Sequence, residues 1–171
     1  VVIICKIFRK LRGKMSKKFR LCAAAVVFNQ EGKILLGNRI ETTDDAWQFP
    51  QGGIEAQETP AEAAKRELFE ETGISAVQLV YAADMPVRYE FSEDIKAAFR
   101  KRGIYNDGQD IYFVLFYFTG NDTDININTQ QPEFKDYKWD SFNFAVENII
   151  GFKKDAYLQA HKTLLPRIRQ Y

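Results

Sequence analysis

An α/β or α+β sandwich is the fold this sequence predicts, and three observations predict it. Its 171 residues, 46% apolar and 27% charged, suffice for one domain with a real core. Segments of strand character mix with two to four helical ones, the combination that packs a sheet against helices. No stretch between them is rich enough in Gly, Ser or Pro to act as a linker, and nothing repeats at a fixed period. The longest unbroken apolar run is Leu21 to Phe28. A helix that spans a bilayer needs ~20 residues, so no stable membrane insertion is expected.

The elements follow in order. Leu21 to Phe28 is apolar throughout, and Lys33 to Asn38 resumes the extended pattern after Asn29-Gln30-Glu31-Gly32. That turn chemistry joins the two as a hairpin. Trp47-Gln48-Phe49 reads as a short strand ended by Pro50 and by a turn at Gly52-Gly53. Thr59-Pro60-Ala61-Glu62 opens a helix, with Thr59 at the N-cap, Pro60 in the first turn and Glu62 completing a capping box. This helix runs through Glu71 and stops at Gly73. Val77 to Ala83 and Val87 to Phe91 are extended, and Ser92 caps a helix through Lys101. Ile111 to Thr119, aromatic and β-branched, is the strongest strand. Asp140 or Ser141 starts a short helix, and Lys153 to Leu165 forms a longer one checked at Pro166.

The net charge of +1 conceals two unlike parts. Of the 24 basic residues eight fall within residues 1–20, which hold no acidic residue; this leaves 16 against all 23 acidic ones in the other 151, a net of −7. An acidic body argues against nucleic-acid binding by charge alone and suits carboxylates gathered around a divalent cation. Residues 1–19 are accordingly read as a basic tail and residues 20–171 as the domain. Ile3, Ile4, Ile7, Phe8 and Leu11 fall at helical spacing among bases. They form either a basic amphipathic helix, for a membrane surface or an organellar presequence, or upstream sequence with no role in the fold. The second reading is preferred, with Met15 as the start. Cys5 and Cys22 lack metal-ligand spacing and point to a reducing, cytoplasmic setting.

The chemistry concentrates on one helix. Glu67, Glu70 and Glu71 are related by i+3 and i+4 and share a face, where like charges repel. Arg66 can pair with Glu70 but leaves two carboxylates crowded together. Mg²⁺ or Mn²⁺, which favour hard oxygen ligands, would resolve the conflict. The bland alternative is a solvated acidic helix. Periodicity leaves the two level, although Pro50-Gln51-Gly52-Gly53 can also bring backbone amides to phosphate oxygens.

Gly52, five residues, Glu58, seven residues and then Arg66-Glu67-Leu68-Phe69-Glu70-Glu71-Thr72-Gly73-Ile74 resembles the Nudix box in every defined position. The resemblance implies a Nudix α/β/α sandwich with a mixed sheet and a loop-helix-loop catalytic motif. It also implies a Mg²⁺-dependent hydrolase of phosphoanhydride bonds. Trp47 to Ile54, Gly108-Gln109, Pro132-Glu133-Phe134, Trp139 and Phe152-Lys153-Lys154 with Tyr157 extend it. These segments are similar to those of bacterial RNA pyrophosphohydrolases and plant-type diadenosine tetraphosphate hydrolases. The expected activity is removal of pyrophosphate from 5′-triphosphorylated RNA. Its alternatives are asymmetric cleavage of diadenosine tetraphosphate to ATP and AMP, and a non-catalytic nucleotide-binding Nudix-like protein.

By the same resemblance Glu67, Glu70 and Glu71 ligate metal, Arg66 orients them, and Gly52 lets backbone join the metal shell. Glu58 is a structural partner of the helix, and Gly73 closes the box. Asp124, before Ile125-Asn126, takes the place of a further carboxylate that serves as ligand or base. Arg39 and Lys153 are candidates for phosphate, and Trp139 and Tyr112 for stacking on a base. For these four, surface charge or core packing is the competing reading. The chain departs from both subfamilies at Asp110-Ile111-Tyr112-Phe113, where Gln and Lys are usual. His161, the only histidine, reads as a surface residue.

Overall fold

The computed structural model describes residues 17–40 and 45–171. The readings of the first fourteen residues, of Cys5 and of Met15 fall outside them. Within the described residues eight strands run in the order β1 (Phe19–Phe28), β2 (Ile34–Arg39), β3 (Trp47–Gln48), β4 (Gln51–Gly53), β5 (Val77–Ala82), β6 (Val87–Glu90), β7 (Gly108–Phe118) and β8 (Phe134–Asp140). Among the described residues four helices accompany them: α1 (Pro60–Thr72), α2 (Glu93–Lys101), α3 (Phe142–Asn148) and α4 (Lys154–Gln170).

β1 and β7 pair in parallel from Phe19↔Gly108 to Phe28↔Tyr117, while every other described pairing is antiparallel, which makes the sheet mixed. β1 is apolar on both sides because both are covered. Ala23, Ala25 and Val27 meet Ala63, Ala64 and Leu68 of α1, whereas Cys22, Ala24 and Val26 face α3 and α4 through Ala145, Tyr157 and Leu164. Helices thus cover both faces of one sheet, the α/β/α sandwich. The small alanines let α1 lie close to β1, which brings Glu67 over Gly52 of β4.

Local chemistry sets the α1 boundaries. The Thr59 side chain accepts from Glu62 N, the Glu62 carboxylate accepts from Thr59 N, and Gly73 ends the helix at φ 69°. Only glycine adopts that left-handed conformation without strain.

Three elements differ from the sequence reading. Gly52 and Gly53 lie in β4, paired with Ala23 and Cys22, rather than in a turn. Unadorned glycines let a strand pass beneath two long side chains. α4 continues through Pro166 to Gln170, because Leu164 and Ile168 are both buried and Tyr171 packs its ring on Tyr117 and Phe28. Tertiary burial there outweighs the backbone hydrogen bond that proline cannot make. β8 has no counterpart in the sequence reading; its half-buried face and charged residues hide the strand, which forms by pairing with β2.

The polypeptide is tied into the fold before residue 20. Phe19 opens β1, Lys17 Nζ donates to the Glu90 carboxylate, and Lys18 N donates to the Asp107 carboxylate while Asp107 N donates to Lys18 O. Cys22 is a free, buried thiol, pushed up to about 11 chiefly by burial. Among the described residues no helix is long and apolar enough to cross a membrane.

Candidate active site

Arg66 organises the box. Its Nε and Nη2 donate to Glu58 at 2.7 and 2.9 Å, Nη2 also donates to the Gly53 carbonyl at 2.9 Å, and Nη1 donates to Glu67 at 2.7 Å and Glu70 at 3.3 Å. One guanidinium thereby fastens α1 to β4 and orients two acidic side chains. Glu58 accepts from Arg66 and from Glu55 N, and these bonds hold its carboxyl down to about 2. It is a structural partner of Arg66 and does not line the cleft. The Glu67 carboxylate lies over Gly52, where a methyl group would fall 2.1 Å from it. The Arg20 guanidinium lies over Gly53 in the same way.

Glu71 is the anomalous member. Its side chain is only 4% exposed, and burial, then the negative charges of Glu133 and Glu67, raise its carboxyl well above the usual range. The Gln51 backbone N–H partly offsets this, and Oε2 is buried with no hydrogen-bond partner. Burial also raises Glu67, against the lowering effect of Arg66. A buried carboxylate with an unsatisfied oxygen beside two more acidic groups is a site short of positive charge. Among the described residues no three acidic side chains converge on a single point, since Arg66 draws Glu67 and Glu70 toward itself.

Glu133 is the residue that sequence reasoning missed. It lies one position before β8, its backbone carbonyl accepts from Ile40 N at 3.0 Å, and its carboxylate stands 3.6 Å from Arg39. Together with Glu67, Glu70 and Glu71 it lines one cleft of about 700 Å³. Its available signal was the segment Pro132-Glu133-Phe134, which isolates one acid at the entrance to a strand.

Asp124 occupies different ground. Its carboxylate accepts from Asn121 N at 2.8 Å within the 3₁₀ turn Asp122–Asp124, and it is not among the residues lining the cleft. Arg39 enters through Glu133. Lys153 is buried against Gln48 Oε1 at 3.3 Å, and burial, then Arg39, pull its ammonium down to about 7. Trp139 donates to Asp122 at 3.0 Å and packs on Phe118, and so closes the core beside α1 rather than the cleft. Tyr112 is half-buried opposite Ala23 on β7. His161 is half-buried with its ring edge on Phe142.

A charged helix, an arginine clamp and a neighbouring glycine strand thus meet at one acidic cleft. The chain matches the NUDIX domain family over residues 18–164 and belongs to that family. It is 38% identical over 143 residues to "RNA pyrophosphohydrolase" of Dinoroseobacter shibae, covering 82% of this chain and 88% of that one. The protein of the same name from Erythrobacter litoralis is 39% identical over 144 residues, covering 82% and 87%. Among solved structures, the E. coli dihydroneopterin triphosphate pyrophosphohydrolase superposes with a TM-score of 0.62 at 19% identity, over 88% of this chain and 99% of that one. A C. elegans Ap4A hydrolase in a binary complex gives 0.60 at 18%, over 86% and 98%. At these identities the structures establish the fold alone. Nudix hydrolases as a class use divalent metal ions, and the unsatisfied, proton-favouring Glu71 fits such a group.

Proposed function

We propose that this chain is a Mg²⁺-dependent RNA pyrophosphohydrolase that removes pyrophosphate from 5′-triphosphorylated RNA, with Mn²⁺ able to substitute. The observation that carries the reading is Glu71: buried, unsatisfied at Oε2 and facing Glu67 and Glu133 in one cleft. The names of the bacterial relatives supply the substrate class.

Glu67, Glu70 and Glu71 would hold the cation, with the β4 backbone at Gly52 beside them. When bound, the ion supplies charge for the phosphate oxygens and acidifies water for attack on phosphorus. Arg66 keeps Glu67 and Glu70 in place through the bonds already described. Arg39, paired with Glu133 across the rim, is placed to exchange that carboxylate for a phosphate oxygen. Glu133 fills the role of the additional carboxylate and takes up the proton lost by water.

The test incubates the protein with Mg²⁺ and either 5′-triphosphorylated RNA or diadenosine tetraphosphate, then identifies the products. Release of pyrophosphate from RNA is expected. Turnover confined to diadenosine tetraphosphate would replace the substrate, and no turnover of any phosphoanhydride would overturn the enzyme.

A further inference from the structure

The cleft is larger than a metal ion and its phosphates need, and its far end differs chemically from the rest. Beyond the carboxylates it runs between the end of α1 and the segment 125–133. There it is lined by Phe69, Asn126, Thr129, Gln130 and Gln131. None of the lining side chains is cationic. Next to four carboxylates, such a space repels further phosphate and suits an uncharged, hydrogen-bonding group.

Phe69 sits on this rim with 56% of its surface exposed. Helical geometry turns it roughly 100° away from Glu70 and further still from Glu67, off the acidic face, while Ala63, Ala64 and Leu68 do the packing of α1. The ring therefore contributes little to the core. In the lining of the same cleft, Thr129 Oγ1 is buried and has no hydrogen-bond partner. The segment that carries Thr129 is anchored to the helix, because Asn126 N donates to Thr72 O at 2.8 Å. An internal turn, Asn128 N to Asn126 Oδ1 at 3.0 Å, shapes it further. The exposed aromatic ring and the unsatisfied hydroxyl thus line one cleft. The Gln130 and Gln131 amides each offer both donors and acceptors there.

We infer that this neutral end is a nucleoside subsite: it takes the first nucleoside of the substrate, its base on the Phe69 ring and its polar edge on Thr129 and the two glutamines. Stacking on an aromatic ring accepts any base, so the subsite favours nucleotides over bare polyphosphate without reading sequence. The inference rests on the proposed function, since it takes the triphosphorylated RNA end as substrate.

The experiment uses 5′-triphosphorylated RNA with 2-aminopurine at its first or its second position. It compares the wild type with Phe69→Ala, Phe69→Tyr and Thr129→Val. In Phe69→Ala, KM is expected to rise about tenfold, the effect of losing one stacked base, with most of the change in KM rather than kcat. Binding should quench first-position 2-aminopurine in the wild type but not in Phe69→Ala, and Phe69→Tyr should restore both readouts. Thr129→Val should raise KM about threefold or more, the loss of one hydrogen bond. Quenching confined to the second position, or unchanged KM and quenching in Phe69→Ala, would overturn the subsite. If the wild type releases nothing from RNA, the proposed function falls. Quenching of bound 2-aminopurine riboside triphosphate with Mg²⁺, compared between wild type and Phe69→Ala, still decides the subsite.

Discussion

Replacing Gly52 with alanine tests how tightly the site is built around one missing side chain. The added methyl would stand 2.1 Å from the Glu67 carboxylate carbon and from one of its oxygens. Unbonded heavy atoms settle near ~3.5–4.0 Å, so the carboxylate must retreat by more than ~1 Å. The retreat is cheap for the fold, because the obstructing atoms are the end of a flexible side chain. It is costly for the proposed chemistry, because Glu67 leaves both the cleft position from which it would hold the cation and its 2.7 Å bond from Arg66. A displacement of about 1 Å in a catalytic constellation costs roughly 100-fold in rate, or about 2.7 kcal/mol. Loosening the partly buried Arg66–Glu67 pair should cost only about 1 kcal/mol of stability, a fall in Tm of roughly 2–4 °C at this chain length. Pyrophosphate release from triphosphorylated RNA, measured alongside thermal unfolding, separates the two effects. Activity within threefold of wild type would refute the geometry. A collapse in Tm would show that the glycine serves folding instead.

Three further outcomes are expected. Because the Glu71 pKa is raised in the folded state, its contribution to stability is full below the ordinary carboxylate range and is lost as pH rises above it. Metal-free protein should therefore lose stability over that rise, Mg²⁺ should restore it, and Glu71→Gln should flatten the profile while removing most activity; thermal unfolding in EDTA across pH reads this directly. Glu133→Gln should lower kcat at least ~100-fold and Asp124→Asn less than ~3-fold, as steady-state assays would show, since one carboxylate faces the cleft and the other caps a turn. Pro166→Ala should stabilise the protein by about 1–3 kcal/mol through the restored helix hydrogen bond, seen as a higher urea midpoint with unchanged activity.

Legibility in the sequence followed how local each feature is. The α1 helix was readable to its ends because Thr59, Pro60, Glu62 and Gly73 act within a turn of where they stand. The hairpin of β1 and β2 was readable for the same reason, through Asn29 and Gly32. β4 was misread as a turn because paired glycines resemble one. Only the partner strand, and the Glu67 and Arg20 side chains lying over them, show why glycine is needed. Pro166 looked like a stop because the burial of Ile168 and the packing of Tyr171, which carry α4 past it, depend on distant strands.

The site divides along the same line. Spacing along one helix was enough to determine that Glu67, Glu70 and Glu71 share a face and that Arg66 can reach Glu70, because helical periodicity converts sequence distance into space. The fourth carboxylate was beyond that reach. Asp124 and Glu133 are both acids in the segment between β7 and β8. Pairing of β8 with β2 sets Glu133 beside Arg39 and the cleft, while the local 3₁₀ turn occupies Asp124. The sequence by itself thus determined the family, the acidic helix and its arginine clamp. Tertiary structure decided which side chains join them, because strand pairing across nearly a hundred residues leaves no periodic trace in the chain. It also decided that Glu71 is buried and short of a partner, since desolvation is a property of what packs around a residue rather than of the residue itself.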